Sequence, residues 1–403
     1  MTERKRKPCR LADLGMITAL GDGLDATWPR LIAGDATRLY RRDDLIPGES
    51  RCFGAVLDPL PEVPSSLSRY DCRNNRLSLA AFAPIRGSVE RALSAFGPDR
   101  VGIVAGSSTG GLAETEEAMR AWVEKGHLTP SFDLVQLEYG GVAEFVRRIS
   151  GATGPCYTLS TACSTGAKVL VSARTLLDLQ LCDAVIAGAV DSLCRLTANG
   201  FFSLQAISRG VPNPMSRNRD GLVLGEGAAW FLVTREPGGI QLLGAGESSD
   251  AHHMSAPDPQ GRGAEACMRS AVEESGIAAS SVSYLNLHGT ATPQNDAMEG
   301  LAVERVLGRS VPCSSTKPLV GHTLGASGAV EAAFCWLVLS RPEGSRLFLP
   351  PHRYDGDRDD ELPALALVGE GQSVDAGAEP VVMSNSFGFG GSNCSLVMGS
   401  SAS

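Results

Sequence analysis

The chain has 403 residues, 43% of them apolar and 20% charged, with a formal net charge of -9. At about 150 residues per domain, that is a globular protein with a substantial core and room for two or three domains. Sequence-independent binders of nucleic acid or anionic membranes should be basic, so neither partner is expected here.

Taken in chain order, the opening MTERKRKPCR is basic. The LADLGMITALG that comes next is broken by an acid and glycines and does not run on as a signal peptide. Segments 41–75 and 345–363, rich in Pro, Arg and Asp, read as surface loops. Between them, strand-like and helix-like runs alternate: VGIVAGSS then AETEEAMRAWVEKG, DAVIAGAV, AAWFLV, and EACMRSAVEESG before VSYLNLHG. That alternation predicts an α/β fold with a largely parallel sheet. Many of the 46 glycines fall where strands end, in GSSTGG, HGTAT, GHTLGASGA and SFGFGG, where backbone must pass close to something. The longest apolar run, AVEAAFCWLVL, is too short to span a bilayer. The 11 cysteines are odd in number and form no C-x-x-C pair, which argues against zinc ribbons and redox motifs. A cytoplasmic protein is expected.

GPCYTLSTACSTGAKVLVSA and VPCSSTKPLVGHTLGASGAVEAA both run short strand, Ser/Thr-rich loop, small-residue helix. They read as copies within an internal duplication, with halves at 10–235 and 236–400 meeting at the connector TREPGG.

Four stretches carry chemistry. In TLSTACSTGAKVL, Cys163 stands among small polar residues ahead of an apolar-periodic run, hence at a helix N-terminus. There the backbone N–H groups and the helix dipole should lower the thiol pKa and make a nucleophile. In YLNLHGTATPQNDAMEG, His288 ends a strand, where an α/β sheet presents its ligand crevice. SSTKPLVGHTLGASGA places Lys317 and His322 in one loop before a helix. VVMSNSFGFGGSNCSLVM puts phenylalanines and glycines in a turn between strands, which suits a gate. His252 and His253 are adjacent without a carboxylate cluster and suggest a pocket-edge or structural role, so no metal site is expected.

Together, TACSTG, HGTATPQND, STKPLVGHTLGASGA and NSFGFGGSN closely resemble the elongating β-ketoacyl-acyl-carrier-protein synthases, over nearly the whole chain. The resemblance implies a thiolase fold of two duplicated α/β halves in five layers, usually a homodimer, with a heterodimer with a ketosynthase-like subunit as the alternative. It implies condensation of a Cys163-bound acyl group with malonyl carrier protein, without metal or organic cofactor, both substrates arriving on the phosphopantetheine of acyl carrier protein. By motif position, His288 and His322 are the decarboxylating pair, Lys317 the motif lysine and Glu299 its acidic partner. Phe387 is the gating phenylalanine, its N–H forming the oxyanion hole with that of Cys163, and Phe389 joins it at the substrate. Thr290 and Thr292 meet the pantetheine arm, and Thr109 lines the acyl pocket.

Some positions depart from the pattern: Ala291 replaces the usual serine, and NPMSRNRDGLVLGEG and CRNNRLSLAAF replace more standard segments. The RNNRL and NPMSRNRDG segments are similar to ketosynthases of bacterial aryl-polyene or related pigment pathways. Two rivals remain. A biosynthetic thiolase would need a second catalytic cysteine near the C-terminal glycine turn, and a non-enzymatic chain-length factor would have lost Cys163. For the acidic carrier protein, Arg69, Arg73 and Arg76 fall at helical spacing and are expected to form one basic docking face.

Overall fold

The computed structural model describes residues 7–401. Its framework is two sets of five strands. The first set is β1 (Cys9–Thr18), β2 (Val101–Gly106), β3 (Cys156–Leu159), β4 (Ala184–Asp191) and β5 (Gly227–Thr234). The second is β6 (Gly239–Ser249), β7 (Val282–Asn286), β8 (Cys313–Ser314), β9 (Val381–Gly388) and β10 (Ser392–Ser401). They lie side by side in the order β3-β2-β4-β5-β1-β6-β10-β9-β7-β8. From its outer edge inward, each set therefore runs third, second, fourth, fifth, first. The same connectivity used twice is the topological mark of a duplicated unit.

The sheet is mixed and not largely parallel. β2 runs parallel to β3 and β4, and β7 to β8 and β9. The pairings β4–β5, β5–β1, β9–β10 and β10–β6 are antiparallel. Alternation of strand and helix patterns reveals crossovers, but it is blind to a tight hairpin such as the β9–β10 turn. β1 joins the two sets, because its first two residues, Cys9 and Arg10, pair with Leu242 and Gln241 of β6.

The main helices around this framework are α1 (Arg73–Phe82), α2 (Arg86–Phe96), α3 (Leu112–Lys125), α4 (Gly140–Ser150), α5 (Thr165–Asp178), α6 (Arg195–Ser203), α7 (Arg262–Ser275), α8 (Pro293–Leu307) and α9 (Ser327–Ser340). Apolar faces of α1, α2 and α4 close over the outer side of the first strand set, around the buried Trp230. α7 and α8 do the same for the second set. α5 and α9 fill the space between, so the layers are helix, sheet, helix, sheet, helix.

Burial on every side explains the sequence of α9, which is apolar all round but for Glu331 and its terminal serines, with only Trp336 and Ser340 reaching partial exposure. The crossing of α5 and α9 is backbone against backbone. A Cβ on Gly166 would stand 2.4 Å from the Ala329 nitrogen, and one on Gly328 would stand 2.5 Å from the Ala167 nitrogen. These glycines hold the same place in the two repeats, TGAK and SGAV.

The two expected surface loops are partly core. Leu45, Ile46 and Phe53 are buried in the first, and Leu347, Leu349 and His352 in the second. Their proline and arginine content hides short apolar runs that plug the ends of the layers. Among the described residues no helix is long and apolar enough to cross a membrane.

Candidate active site

Cys163 sits on a sharp turn between β3 and α5. Ala162 before it has φ 52, a left-handed conformation that costs a non-glycine residue about 1–2 kcal/mol. Thr165 holds the turn: its Oγ1 accepts from the Thr161 N–H at 2.7 Å and donates to the Ala162 carbonyl at 2.6 Å. The result is a buried thiol that lines a cavity, the access that its small neighbours suggested.

His322 arrives from the equivalent loop of the other half. Its Nε2 lies 3.0 Å from the Cys163 sulfur. The preceding Gly321 has φ 74, and a Cβ there would meet the Leu224 carbonyl oxygen at 2.7 Å, so only glycine lets the loop pack this closely. His288 follows β7 and stands edge-on to His322, ring centres 5.4 Å apart. The ligand atoms of Cys163, His288 and His322 all lie within 4.8 Å of one another. All three groups open into one cavity of about 360 Å³, with Thr290, Thr292 and Phe389 on its wall.

The Lys317 ammonium lies behind His288. It donates to the His288 carbonyl at 2.5 Å and stands 3.3 Å from Nδ1. An ammonium can only donate, so Nδ1 is the acceptor and the His288 proton sits on Nε2, facing the cavity. The acid paired with Lys317 is Glu331, at 2.5 Å, and not Glu299 as expected. Glu299 instead accepts the backbone N–H groups of His288 and Gly289 at 2.8 and 2.7 Å, and the Asn385 amide at 3.1 Å. It anchors the histidine loop, and burial pushes its carboxyl up to about 7 against those donors. Glu331 escaped notice in the sequence because it is the single charge on an otherwise apolar helix, 14 residues past the lysine.

Burial also reverses the expected thiol shift. Cys163 is pushed up to about 11 by desolvation, against a smaller downward pull from the Phe389 N–H and Lys317. Desolvation and the Lys317 charge hold both imidazoles well below their ordinary value. The resting site is therefore neutral thiol donating to neutral imidazole.

The oxyanion assignment moves as well. The backbone N–H that reaches the Cys163 sulfur is that of Phe389, whereas Phe387 is a ladder residue of β9 opposite Asn393. The Phe387 ring packs against His288 at 6.1 Å. Phe389 occupies the turn, its ring 5.4 Å from that of Phe201 on α6, a neighbour the sequence did not single out. Thr290 and Thr292 join hydroxyls at 2.9 Å on the cavity wall. Thr109 does not reach that wall; it is fully buried and spends its hydroxyl on Asp191 at 2.8 Å.

The three arginines do not share one helical face. Arg69 lies on a separate 3-10 turn, Ser65–Tyr70, ahead of α1. Each arginine has its own acid: Arg69 with Asp133, Arg73 with the fully buried Glu226, and Arg76 with Asp71. His252 and His253 are exposed and apart from the buried trio.

Comparisons with known proteins agree with this geometry. The family model described as Beta-ketoacyl synthase, N-terminal domain matches residues 86–237, and the one described as Beta-ketoacyl synthase, C-terminal domain matches residues 240–343. A 3-oxoacyl-[acyl-carrier-protein] synthase 2 from Rhizobium meliloti is 31% identical over 95% of this chain and 96% of its own. Among solved structures, a chain of the complex of a ketosynthase (ApeO) with its chain length factor (ApeC) from Xenorhabdus doucetiae superposes with a TM-score of 0.93. It is 40% identical over 100% of both chains. A beta-ketoacyl synthase from Burkholderia phymatum gives a TM-score of 0.85 at 27% identity, covering 98% of this chain and 100% of its own.

Proposed function

The chain belongs to the β-ketoacyl synthase family, and from that premise we propose that it elongates carrier-bound acyl chains by decarboxylative condensation. Cys163 attacks the acyl thioester, and its proton passes through His322 Nε2, 3.0 Å away, to the departing pantetheine thiolate. The N–H groups of Cys163 and Phe389 support the tetrahedral oxyanion, worth about a hundredfold or more per donor. Malonyl carrier protein then loses CO2 while the cavity-facing Nε2–H of His288, with His322 beside it, holds the enolate oxygen. The new carbanion attacks the Cys163 thioester carbonyl. The cysteine leaves as thiolate and takes up a proton, giving 3-ketoacyl carrier protein and free thiol.

The observation that carries this reading is the meeting of one thiol and two neutral imidazoles from equivalent loops of the two halves. The same donor set is a poor cation trap, because the Lys317 ammonium lies against His288, and the reaction needs no metal or organic cofactor. A thiolase reading is disfavoured by Cys394, which is buried in the core and lies off the cavity. A non-enzymatic chain-length factor is disfavoured by the intact Cys163–His322 contact.

The partner subunit is best read as a second ketosynthase-like chain. The support is the 40% identity to a chain of a ketosynthase–chain length factor complex, together with the exposed Met119, Trp122 and Val123 of α3. The RNNRL and NPMSRNRDG segments, through their resemblance to pigment-pathway ketosynthases, favour a polyene or polyketide type of product over the primary fatty acids.

Intact-mass analysis after incubation with defined acyl carrier proteins tests the whole scheme. The acyl adduct is expected on wild-type protein and not on Cys163→Ala, and equal labelling of both would refute the nucleophile.

A further inference from the structure

Three of the 6 histidines are buried, and only two of those three face the cavity. The third, His352, lies in LPPHRY, inside the segment expected to be a surface loop. Its Nδ1 accepts the Ser315 N–H at 3.1 Å, and its Nε2 is 2.9 Å from the Pro214 carbonyl oxygen. Each partner has a single role: a backbone N–H only donates, and a carbonyl only accepts. The proton therefore sits on Nε2, and Nδ1 must keep its lone pair.

Ser315 is where this bond becomes relevant to the reaction. Its Oγ donates to the Gly289 carbonyl at 2.7 Å and accepts the Lys317 N–H at 3.3 Å. A Cβ on Gly289 would come within 2.6 Å of the Ser315 Cβ, so the two loops are already in contact. Lys317 in turn sets the tautomer of His288. The other end of His352 holds Pro214, whose neighbour Met215 has φ 62 and donates its N–H to Asp296. Asp296 also accepts the Ala291 N–H at 3.2 Å. One imidazole thus ties the lysine loop and the residue-214 loop together, and through each of them the His288–Thr292 loop.

We propose that His352 is a positioning residue, a neutral strut that fixes Ser315 and so holds Lys317 and His288 in register for decarboxylation. Its direct bonds go to Ser315 and Pro214 and none reaches α5 or the Phe389 turn, so its effect on the Cys163 side is the smaller one. The charged group facing the ring is Arg358 and the aromatic one is Tyr354, ring centres 5.2 Å apart, both from its own segment. The strand that carries Ser315 and the loop that carries Pro214 present backbone groups to it. Burial, reinforced by Arg358, pulls the ring down to about 4, in line with a permanently neutral role. The inference rests on the ketosynthase reading for its consequence, but not for its geometry.

Two amide substitutions separate the two bonds. In His352→Asn the amide oxygen can take the place of Nδ1, and in His352→Gln the amide nitrogen can take the place of Nε2. Malonyl carrier protein decarboxylation and Cys163 acylation are measured separately. His352→Leu and His352→Gln should lose tenfold or more in decarboxylation while acylating Cys163 within about twofold of wild type. His352→Asn should recover most of the decarboxylation. Parallel loss of both half-reactions, or wild-type decarboxylation in His352→Leu, overturns the proposal, as does an Asn variant no better than Leu.

Nitrogen chemical shifts of 15N-histidine protein give a readout free of substrate. They should show His352 protonated on Nε2 alone down to pH 5, and a charged ring or a proton on Nδ1 at pH 6 overturns the strut. A wild-type enzyme that fails to acylate Cys163 would sink the reaction reading and leave that spectroscopic test standing.

Discussion

Removing either member of the Lys317–Glu331 pair should damage the protein far more than removing both. The side chains are 2% and 3% exposed, 2.5 Å apart. At an effective dielectric near 20, unit charges at that separation attract by about 7 kcal/mol, most of which offsets the loss of hydration. Lys317→Met leaves a buried carboxylate without its cation, and Glu331→Leu leaves the reverse. Either single change should cost about 3–5 kcal/mol, and the double change should be close to neutral in stability. For 403 residues, at about 2.1 cal/mol/K each, that cost lowers the melting temperature by about 4–6 °C. The assay is calorimetry of all four proteins at one scan rate, read as a double-mutant cycle. Single variants that each lose under about 1 kcal/mol, with losses that add in the double, would refute the description of a dry, mutually dependent pair. Activity should not return in the double variant, because the His288 tautomer would have lost its cation.

Cys163, held up to about 11 by burial, should react with iodoacetamide about tenfold faster per pH unit between pH 7 and 9, after subtraction of the Cys163→Ala background. A rate already flat at pH 7 would mean a preformed thiolate. Gly166→Ala forces a methyl group onto the α9 backbone and should cost about 1–3 kcal/mol in denaturant titration; an unchanged midpoint would deny the close crossing. Arg73→Ala strips the fully buried Glu226 of its bidentate partner and should destabilise by about 3 kcal/mol. Arg69→Ala, at an exposed pair, should stay within about 1 kcal/mol. Equal effects in the two arginine variants, measured by urea unfolding, would contradict that contrast.

The nucleophile and both cavity histidines were legible because chemistry that needs access leaves small residues around a reactive group. Cys163, His288 and His322 each carry that signature. What stayed hidden depended on partners distant in sequence. Lys317 could not announce Glu331, since a lone acid in AVEAAF looks like an exception on a core helix. The two phenylalanines of SFGFGG are equivalent as text, and only the β9–β10 register shows which N–H is free to meet the sulfur. The arginine spacing at 69, 73 and 76 was helical, but the helix starts after Cys72, with a 3-10 turn before it. His352 was invisible for a related reason: prolines and arginines around it mimic a solvated loop, and its partners are backbone atoms that carry no sequence signal.

The stitch made by β1 has a consequence for how this molecule can breathe. Many two-part enzymes admit substrate by swinging one domain against the other, and stiffening their hinge slows turnover. Here the strand sets are laced through Cys9 and Arg10, and the central helices touch at Gly166 and Gly328, so the two halves share one continuous framework. Motion is left to the Phe389–Gly391 turn, where Gly390 and Gly391 have φ 80 and 76 and two backbone bonds tie it to the neighbouring loop, from the Gly390 N–H to the Met254 carbonyl and from the Asp250 N–H to the Gly391 carbonyl. Admission then depends on one aromatic contact with Phe201 and a few flexible torsions. Hardening the five layers against heat should leave turnover intact, an unusual freedom for anyone engineering the enzyme, since the trade of activity for rigidity is confined to a handful of atoms.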